Sequence, residues 1–133
     1  MSTESLHVQA WLPLSPEALF DAWIDGDRHA MMTGAGASSD ARVGGAFQAW
    51  DGYIEGRHEL LDRPRRIVQA WRTGEFPDGA PDSRLELLLL AENGGTRLHL
   101  HHSEIPAGQA DRYRQGWEDY YLAPIRSWLA EEG

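Results

Sequence analysis

The chain has 133 residues, no cysteine, and a formal charge of −9 from 21 acidic and 12 basic side chains. This length predicts one domain with one core. The missing cysteine excludes disulfides, thiolate nucleophiles and Cys-ligated zinc, and the acidic balance argues against nonspecific nucleic-acid binding, which needs basic groups at phosphates. No apolar run approaches the ~20 residues that span a bilayer. The opening stretch MSTESLHVQAW lacks the basic and apolar regions of a signal peptide. No membrane association and a cytoplasmic location are therefore expected. Every basic residue is Arg, and the densest spot, Arg63, Arg65 and Arg66, reads as a solvated turn around Pro64.

Residues Leu6 to Leu12 alternate, with Leu6, Val8, Ala10 and Leu12 on one face and His7, Gln9 and Trp11 on the other, which predicts a half-buried strand. Ser15-Pro16-Glu17 starts a helix, with Ser as N-cap and Pro in the first turn. It runs to about Ile24 and buries Leu19, Phe20 and Trp23. Asp25-Gly26-Asp27 breaks it, and Asp27 caps a short second helix through Met32, ended by Gly34 and Gly36.

Short strands follow. Ser38 to Arg42 is a weak candidate, and Gly44-Gly45 is a turn or bulge. Ala46–Trp50 and Tyr53–Leu61 are joined by Asp51-Gly52, a type I′ hairpin signal. Pro64 turns the chain into a strand over Arg66–Arg72, and a loop spans Thr73–Ser83. A second hairpin joins Leu85–Ala91 to Thr96–Ser103 over Asn93-Gly94-Gly95.

The last stretch, about Gln109 to Glu131, carries Tyr113, Trp117, Tyr120, Tyr121, Ile125 and Trp128 on one helical face, opposite Asp111, Arg112, Gln115, Asp119 and Arg126. Strands linked by tight turns are antiparallel, and such a sheet needs a cover on one face. The expected fold is α+β: a curved antiparallel sheet of six to seven strands around a long C-terminal helix, with two short helices after the first strand. Pro124 removes a backbone N–H and crowds the Tyr120 carbonyl, so a kink is expected there. It divides a lower segment of Tyr113, Trp117 and Tyr121, expected to line any cavity, from an upper one of Trp128 and Leu129.

Several stretches, taken together, resemble a known family: Gly45-Ala46-Phe47, Trp50-Asp51-Gly52-Tyr53-Ile54-Glu55-Gly56, Leu60, Ile67-Val68-Gln69-Ala70-Trp71-Arg72, Phe76-Pro77, Gly95-Thr96-Arg97-Leu98, Ile105-Pro106 and Gly116-Trp117. They resemble the activator-of-heat-shock-protein-ATPase homologues of the START/Bet v 1-like (SRPBCC) superfamily, in order over residues 6 to 129. The resemblance implies a helix-grip fold with a hydrophobic cavity between sheet and helix. It departs where members commonly carry Trp at the end of the second short helix; here the chain reads Met31-Met32-Thr33.

The cavity candidates are Trp23, Met32, Phe47, Trp71, Phe76, His102, Trp117, Tyr120 and Tyr121. Each competes with a role as ordinary core. Gln69, His102, Arg72 and the Tyr hydroxyls are the polar groups available to orient a ligand. In Leu98-His99-Leu100-His101-His102, His99 and His101 share the outer face and His102 points inward. Pairing across the Asn93-Gly94 turn sets Leu or Glu beside the outer pair. Two histidines fall short of the usual three or four ligands, so no metal and no cofactor are expected. No spacing forces a pair of carboxylates together, and no G-x-S-x-G, phosphate loop or dinucleotide fingerprint is present.

The leading expectation is non-enzymatic binding of a hydrophobic small molecule in the cavity. The alternative implied by the resemblance is a co-chaperone acting on a heat-shock ATPase, although the eukaryotic co-chaperones carry an additional N-terminal domain. A cyclase or hydrolase of the same superfamily is the third reading, and it requires a polar cluster inside the cavity. Aromatic surface at Trp11 or Trp50 on the sheet's outer face would suit a homodimer.

Overall fold

Antiparallel hairpins and one return strand generate the architecture. The computed structural model describes residues 2–132. Strand β1 (Thr3–Leu12) is followed by helices α1 (Pro16–Ile24) and α2 (Gly26–Thr33). Then come β2 (Ser38–Ser39), β3 (Ala46–Ala49), β4 (Ile54–Asp62), β5 (Arg66–Thr73), β6 (Ser83–Glu92) and β7 (Gly95–Pro106). The chain ends in a continuous C-terminal helix made of α3 (Ala110–Trp117), a π-helical turn (Glu118–Leu122) and α4 (Ala123–Glu132). The seven strands form one antiparallel sheet in the order β1-β7-β6-β5-β4-β3-β2. The core lies between the sheet's inner face and the helices, with Leu12, Leu19, Ile67, Leu85, Leu98, Ile105 and Ile125 essentially excluded from solvent. This is the expected helix-grip arrangement. Among the described residues, no helix is long and apolar enough to cross a membrane.

Local chemistry explains most boundaries, and corrects several. Ser15 caps α1 by accepting from the Ala18 N–H at 3.1 Å. The cap of α2 is Asp25 rather than Asp27, since Asp25 Oδ1 accepts from the Arg28 N–H at 3.0 Å. Gly26 looks like a helix breaker but is the first residue of α2. Its role is steric, because a Cβ there would stand 2.9 Å from the Ser38 backbone. Strand β2 stops at Ser39, short of Arg42, because the Arg42 N–H turns back to the Asp40 carbonyl at 2.7 Å.

The first hairpin is not a two-residue turn. Ala49 pairs with Ile54, leaving Trp50 to Tyr53 as the connection. Trp50, Asp51 and Gly52 all have positive φ, at 52°, 57° and 91°. Asp51 is held from outside the hairpin: its carboxylate accepts from the Gly36 N–H at 3.0 Å, and its N–H donates to the Gly36 carbonyl at 2.9 Å. The type I′ geometry appears in the second hairpin, where Glu92 pairs with Gly95 and both Asn93 and Gly94 have positive φ.

The C-terminal helix answers Pro124 upstream. The Ala123 N–H bonds to the Glu118 carbonyl, five residues back, and the chain stays helical through Pro124. The extra residue in this turn rotates the buried stripe. Tyr113, Trp117, Tyr121, Leu122 and Ile125 are buried, whereas Tyr120, expected among them, is 56% exposed.

Gly56 of the hairpin motif is required by contact. It pairs with both Phe47 and Trp71, and a Cβ there would lie 1.8 Å from the Ala70 carbonyl oxygen and 2.9 Å from the Phe47 ring. The obstacle is backbone, so β4 and β5 must separate to admit a methyl. Gly56→Ala is expected to lower the unfolding free energy by about 2–3 kcal/mol, read by urea denaturation. An unchanged midpoint would refute the contact.

Candidate functional site

An open cavity of about 590 Å³ lies between the β3–β4 turn, the middle of the sheet and the first half of the C-terminal helix. Trp50, Tyr53 and Ile54 form one wall, Trp71 and Glu75 the floor and one end, and Tyr113, Gly116, Trp117, Tyr120 and Tyr121 the opposite wall. Among the sequence candidates, Trp71, Trp117, Tyr120 and Tyr121 line it. Trp23, Met32, Phe47, Phe76 and His102 stand outside the lining. Trp23 stacks behind Tyr121 at 5.0 Å, Phe47 stacks on His58 at 5.3 Å, and Met32 is plain core. Phe76 is buried beneath the Arg72 guanidinium, 5.4 Å from its ring.

Trp50 is the lining residue that sequence alone misplaces. Alternation puts it on the outer face, but the left-handed turn swings it over the cavity, edge-on to Tyr120 at 5.2 Å. Among the described residues, its Nε1 is the buried side-chain polar atom without a hydrogen-bond partner. Trp11 does remain on the outer face, half-buried, with its Nε1 donating to the Glu92 carbonyl at 2.7 Å.

Of the polar groups proposed to orient a ligand, Arg72, Gln69 and His102 are engaged elsewhere. Arg72 reaches Asp82 and the Ala80 carbonyl, both at 2.9 Å. Gln69 Nε2 donates to His58 Nδ1 at 3.3 Å, which leaves His58 Nε2–H to donate to Ser39 at 2.8 Å. The expected Tyr hydroxyls do reach the cavity: its polar end is Tyr53 and Tyr113 together with Glu75 and Arg112. Arg112 pairs with Glu75 at 2.9 Å, and the Tyr53 hydroxyl donates to the same carboxylate. Partial desolvation at the cavity mouth, reinforced by that carboxylate, pushes the Tyr53 phenol up to about 12.

A closed hydrogen-bond circuit anchors this end. The Glu75 N–H donates to Thr73 Oγ1, Thr73 donates to the Tyr113 hydroxyl, and Tyr113 donates to Gln109 Oε1 at 2.6 Å. Gln109 Nε2 then returns to the Glu75 carbonyl at 3.0 Å. The β5–β6 loop is thereby tied to the start of the C-terminal helix. Glu4 of β1 supplies the cap there, accepting from the Ala110 N–H at 3.0 Å, and that bond holds its carboxyl below the usual range.

Behind the cavity, two buried histidines join the helices to the sheet and to each other. Trp117 Nε1 donates to His102 Nδ1 at 3.3 Å, so His102 Nε2–H donates to Ser83 Oγ at 2.8 Å, and Ser83 donates to the Trp71 carbonyl at 2.6 Å. The imidazole presents a proton to Ser83, the reverse of what base activation of a nucleophile requires. His29 Nδ1–H donates to the Trp23 carbonyl at 2.9 Å, leaving Nε2 to accept from the Tyr121 hydroxyl at 2.8 Å. Burial alone drives the Tyr121 phenol up, so it stays protonated.

Burial pushes His102 down to about 3, and lowers His29 and His58 as well. These rings stay neutral in the folded chain, while the unfolded chain takes up protons below its ordinary value of ~6.5. Stability is therefore complete above that pH and is lost as pH falls. His102 alone is expected to remove about 2 kcal/mol between pH 7 and 5. Urea unfolding at both pH values measures this, and His102→Gln should flatten the dependence. Equal stability at pH 7 and 5 would contradict the neutral buried ring.

Comparison with known proteins fits this geometry. The family model for Activator of Hsp90 ATPase homolog 1-like protein matches residues 13–130. The human protein Activator of 90 kDa heat shock protein ATPase homolog 1 is 33% identical over 112 residues, which is 84% of this chain and 33% of the relative. The chain thus spans about a third of that relative's length. The crystal structure of PFC0360w, an HSP90 activator from Plasmodium falciparum, superposes with a TM-score of 0.86 at 27% identity, over 95% of this chain and 96% of that one. The solution structure of the Aha1 dimer from Colwellia psychrerythraea shares the fold, with a TM-score of 0.76 at 14% identity over 90% and 92% of the two chains. With its family model matched over most of its length, the chain belongs to the Activator of Hsp90 ATPase homolog 1-like family.

Proposed function

We propose that this domain docks on a heat-shock chaperone ATPase of the Hsp90 kind and modulates its ATP hydrolysis. The carrying observation is the likeness, over nearly all of both chains, to a Plasmodium protein described as an HSP90 activator. The human relative's name points the same way, through a region one third of its length. The geometry supplies a surface of suitable composition. Tyr120 and Tyr53 are exposed at the cavity mouth beside Arg112, and Tyr and Arg are among the residues that concentrate binding energy at protein interfaces. The test is the steady-state ATPase of the cognate Hsp90 homologue titrated with this chain. A saturable change in rate is expected. Tyr120→Ala should weaken half-saturation about tenfold, equivalent to ~1.4 kcal/mol. No change in rate, together with no co-elution, would end this reading.

A hydrophobic small molecule in the cavity is the second reading, favoured by one observation. A space of about 590 Å³, aromatic on most sides and polar at one end, matches the size and lining of ligand sites. Gly116 stands in its wall, and a Cβ there meets only Tyr120 at 3.7 Å. A leucine at this position grows into the cavity without striking backbone. Quenching of Trp fluorescence by fatty-acid or polyaromatic ligands is expected to saturate in the native chain and vanish in Gly116→Leu. Identical titrations would place binding elsewhere.

A further inference from the structure

The sheet's outer face carries a cluster that neither reading uses. His99 and His101 alternate outward on β7, facing away from the cavity side, where Leu98, Leu100 and His102 are buried. On the β6 side, His99 stands opposite Leu88 and His101 opposite Glu86. The second neighbour of β7 is β1, and its register sets His7 directly opposite His101 and Gln9 opposite His99. The three imidazoles stack with planes within 16° of one another, and the ring centroids of His7 and His101 are 4.3 Å apart. One ring nitrogen from each lies within 4.8 Å of the other two. His7 Nε2 and His99 Nδ1 are 3.1 Å apart and share a hydrogen bond.

We propose that His7, His99 and His101 form a site for one divalent transition-metal ion of the zinc type, with water completing a tetrahedron. Zinc–nitrogen bonds of about 2.0–2.1 Å hold tetrahedral ligands roughly 3.4 Å apart. The His7–His99 pair already stands near that spacing, at 3.1 Å. Rotation of the three rings out of their parallel stack turns the lone pairs toward one point and closes the remaining edges, which start within 4.8 Å. The cation takes the place of the hydrogen bond between His7 and His99: the donor ring's proton moves to its other nitrogen, so both neutral imidazoles offer a lone pair to the ion. Imidazole is a good ligand for zinc, copper and nickel, and three histidines with one open position are an established zinc donor set. The ligands sit on two hydrogen-bonded strands, which fixes their Cα positions before the ion arrives. Glu86 is paired with Arg66 at 2.5 Å, and Arg114, which donates to the His7 carbonyl at 3.3 Å, is a nearby positive charge against which the ion must bind. The chain's charge of −9 favours a cation.

Isothermal titration of the tag-free chain with Zn²⁺ at pH 7.5 tests the site, with Co²⁺ visible absorption reporting geometry. One ion per chain and a tetrahedral Co²⁺ band are expected. His7→Ala, His99→Ala and His101→Ala should each weaken Zn²⁺ binding at least ~10-fold. All three positions face away from the core, so far-ultraviolet circular dichroism should show an unchanged fold. His7→Ala is decisive, since only the β1–β7 register joins it to the other two. No binding up to millimolar Zn²⁺, or equal affinity in His7→Ala and the native chain, would overturn the proposal.

Discussion

The hydrogen-bond line from Trp117 through His102 and Ser83 to the Trp71 carbonyl holds the helix on the sheet. It begins on α3, crosses β7 and β6, and ends on β5. Every polar atom along it has a partner, so burying it carries no unsatisfied-group penalty. Hydrophobic burial presses the helix onto the sheet, but that force is non-directional. The line selects one rotation and one height for the helix. The cavity depends on that choice, because Trp71 and Trp117 are at once members of the line and walls of the space.

The π-helical turn acts on the same surface. An ordinary helix would carry Tyr120 with Tyr113 and Trp117 into the core. The added residue brings Leu122 inward beside Tyr121 and leaves Tyr120 at the mouth. Tyr121 then meets His29 and stacks on Trp23, closing the back of the cavity. Opposite, the left-handed Trp50 folds over the space with an unpaired Nε1. An orphaned buried donor costs about 1–3 kcal/mol, a cost concentrated where the structure is also open.

The two faces of the sheet offer different chemistry. The inner face and helix enclose aromatic carbon with a charged pair at one end. The outer face near β1 and β7 gathers imidazole nitrogen. Residues i and i+2 on a strand face the same way, so the alternation that sends His102 into the core sends His99 and His101 out. The edge strand β1 adds the third ring.

Much of the fold was legible in the sequence. Alternation located β1 and the long strands, Ser15-Pro16 marked α1, and Asn93-Gly94 marked its hairpin, since each signal acts over a few neighbouring residues. The aromatic stripe identified the gripped helix, and the family motifs agreed with it. Features set by distant partners were not legible. Asp51 takes its turn from Gly36, α3 takes its cap from Glu4, and Gly26 and Gly56 are glycine because other backbone passes too close. The cavity lining was legible only in part: Trp71, Trp117 and Tyr121 follow from strand and helix period, whereas Trp50 and the exposure of Tyr120 follow from a turn and a π bulge. The His7–His99–His101 cluster joins residues 92 positions apart. Sequence period determines which way a side chain points along its own element; only strand register and helix rotation decide what it points at.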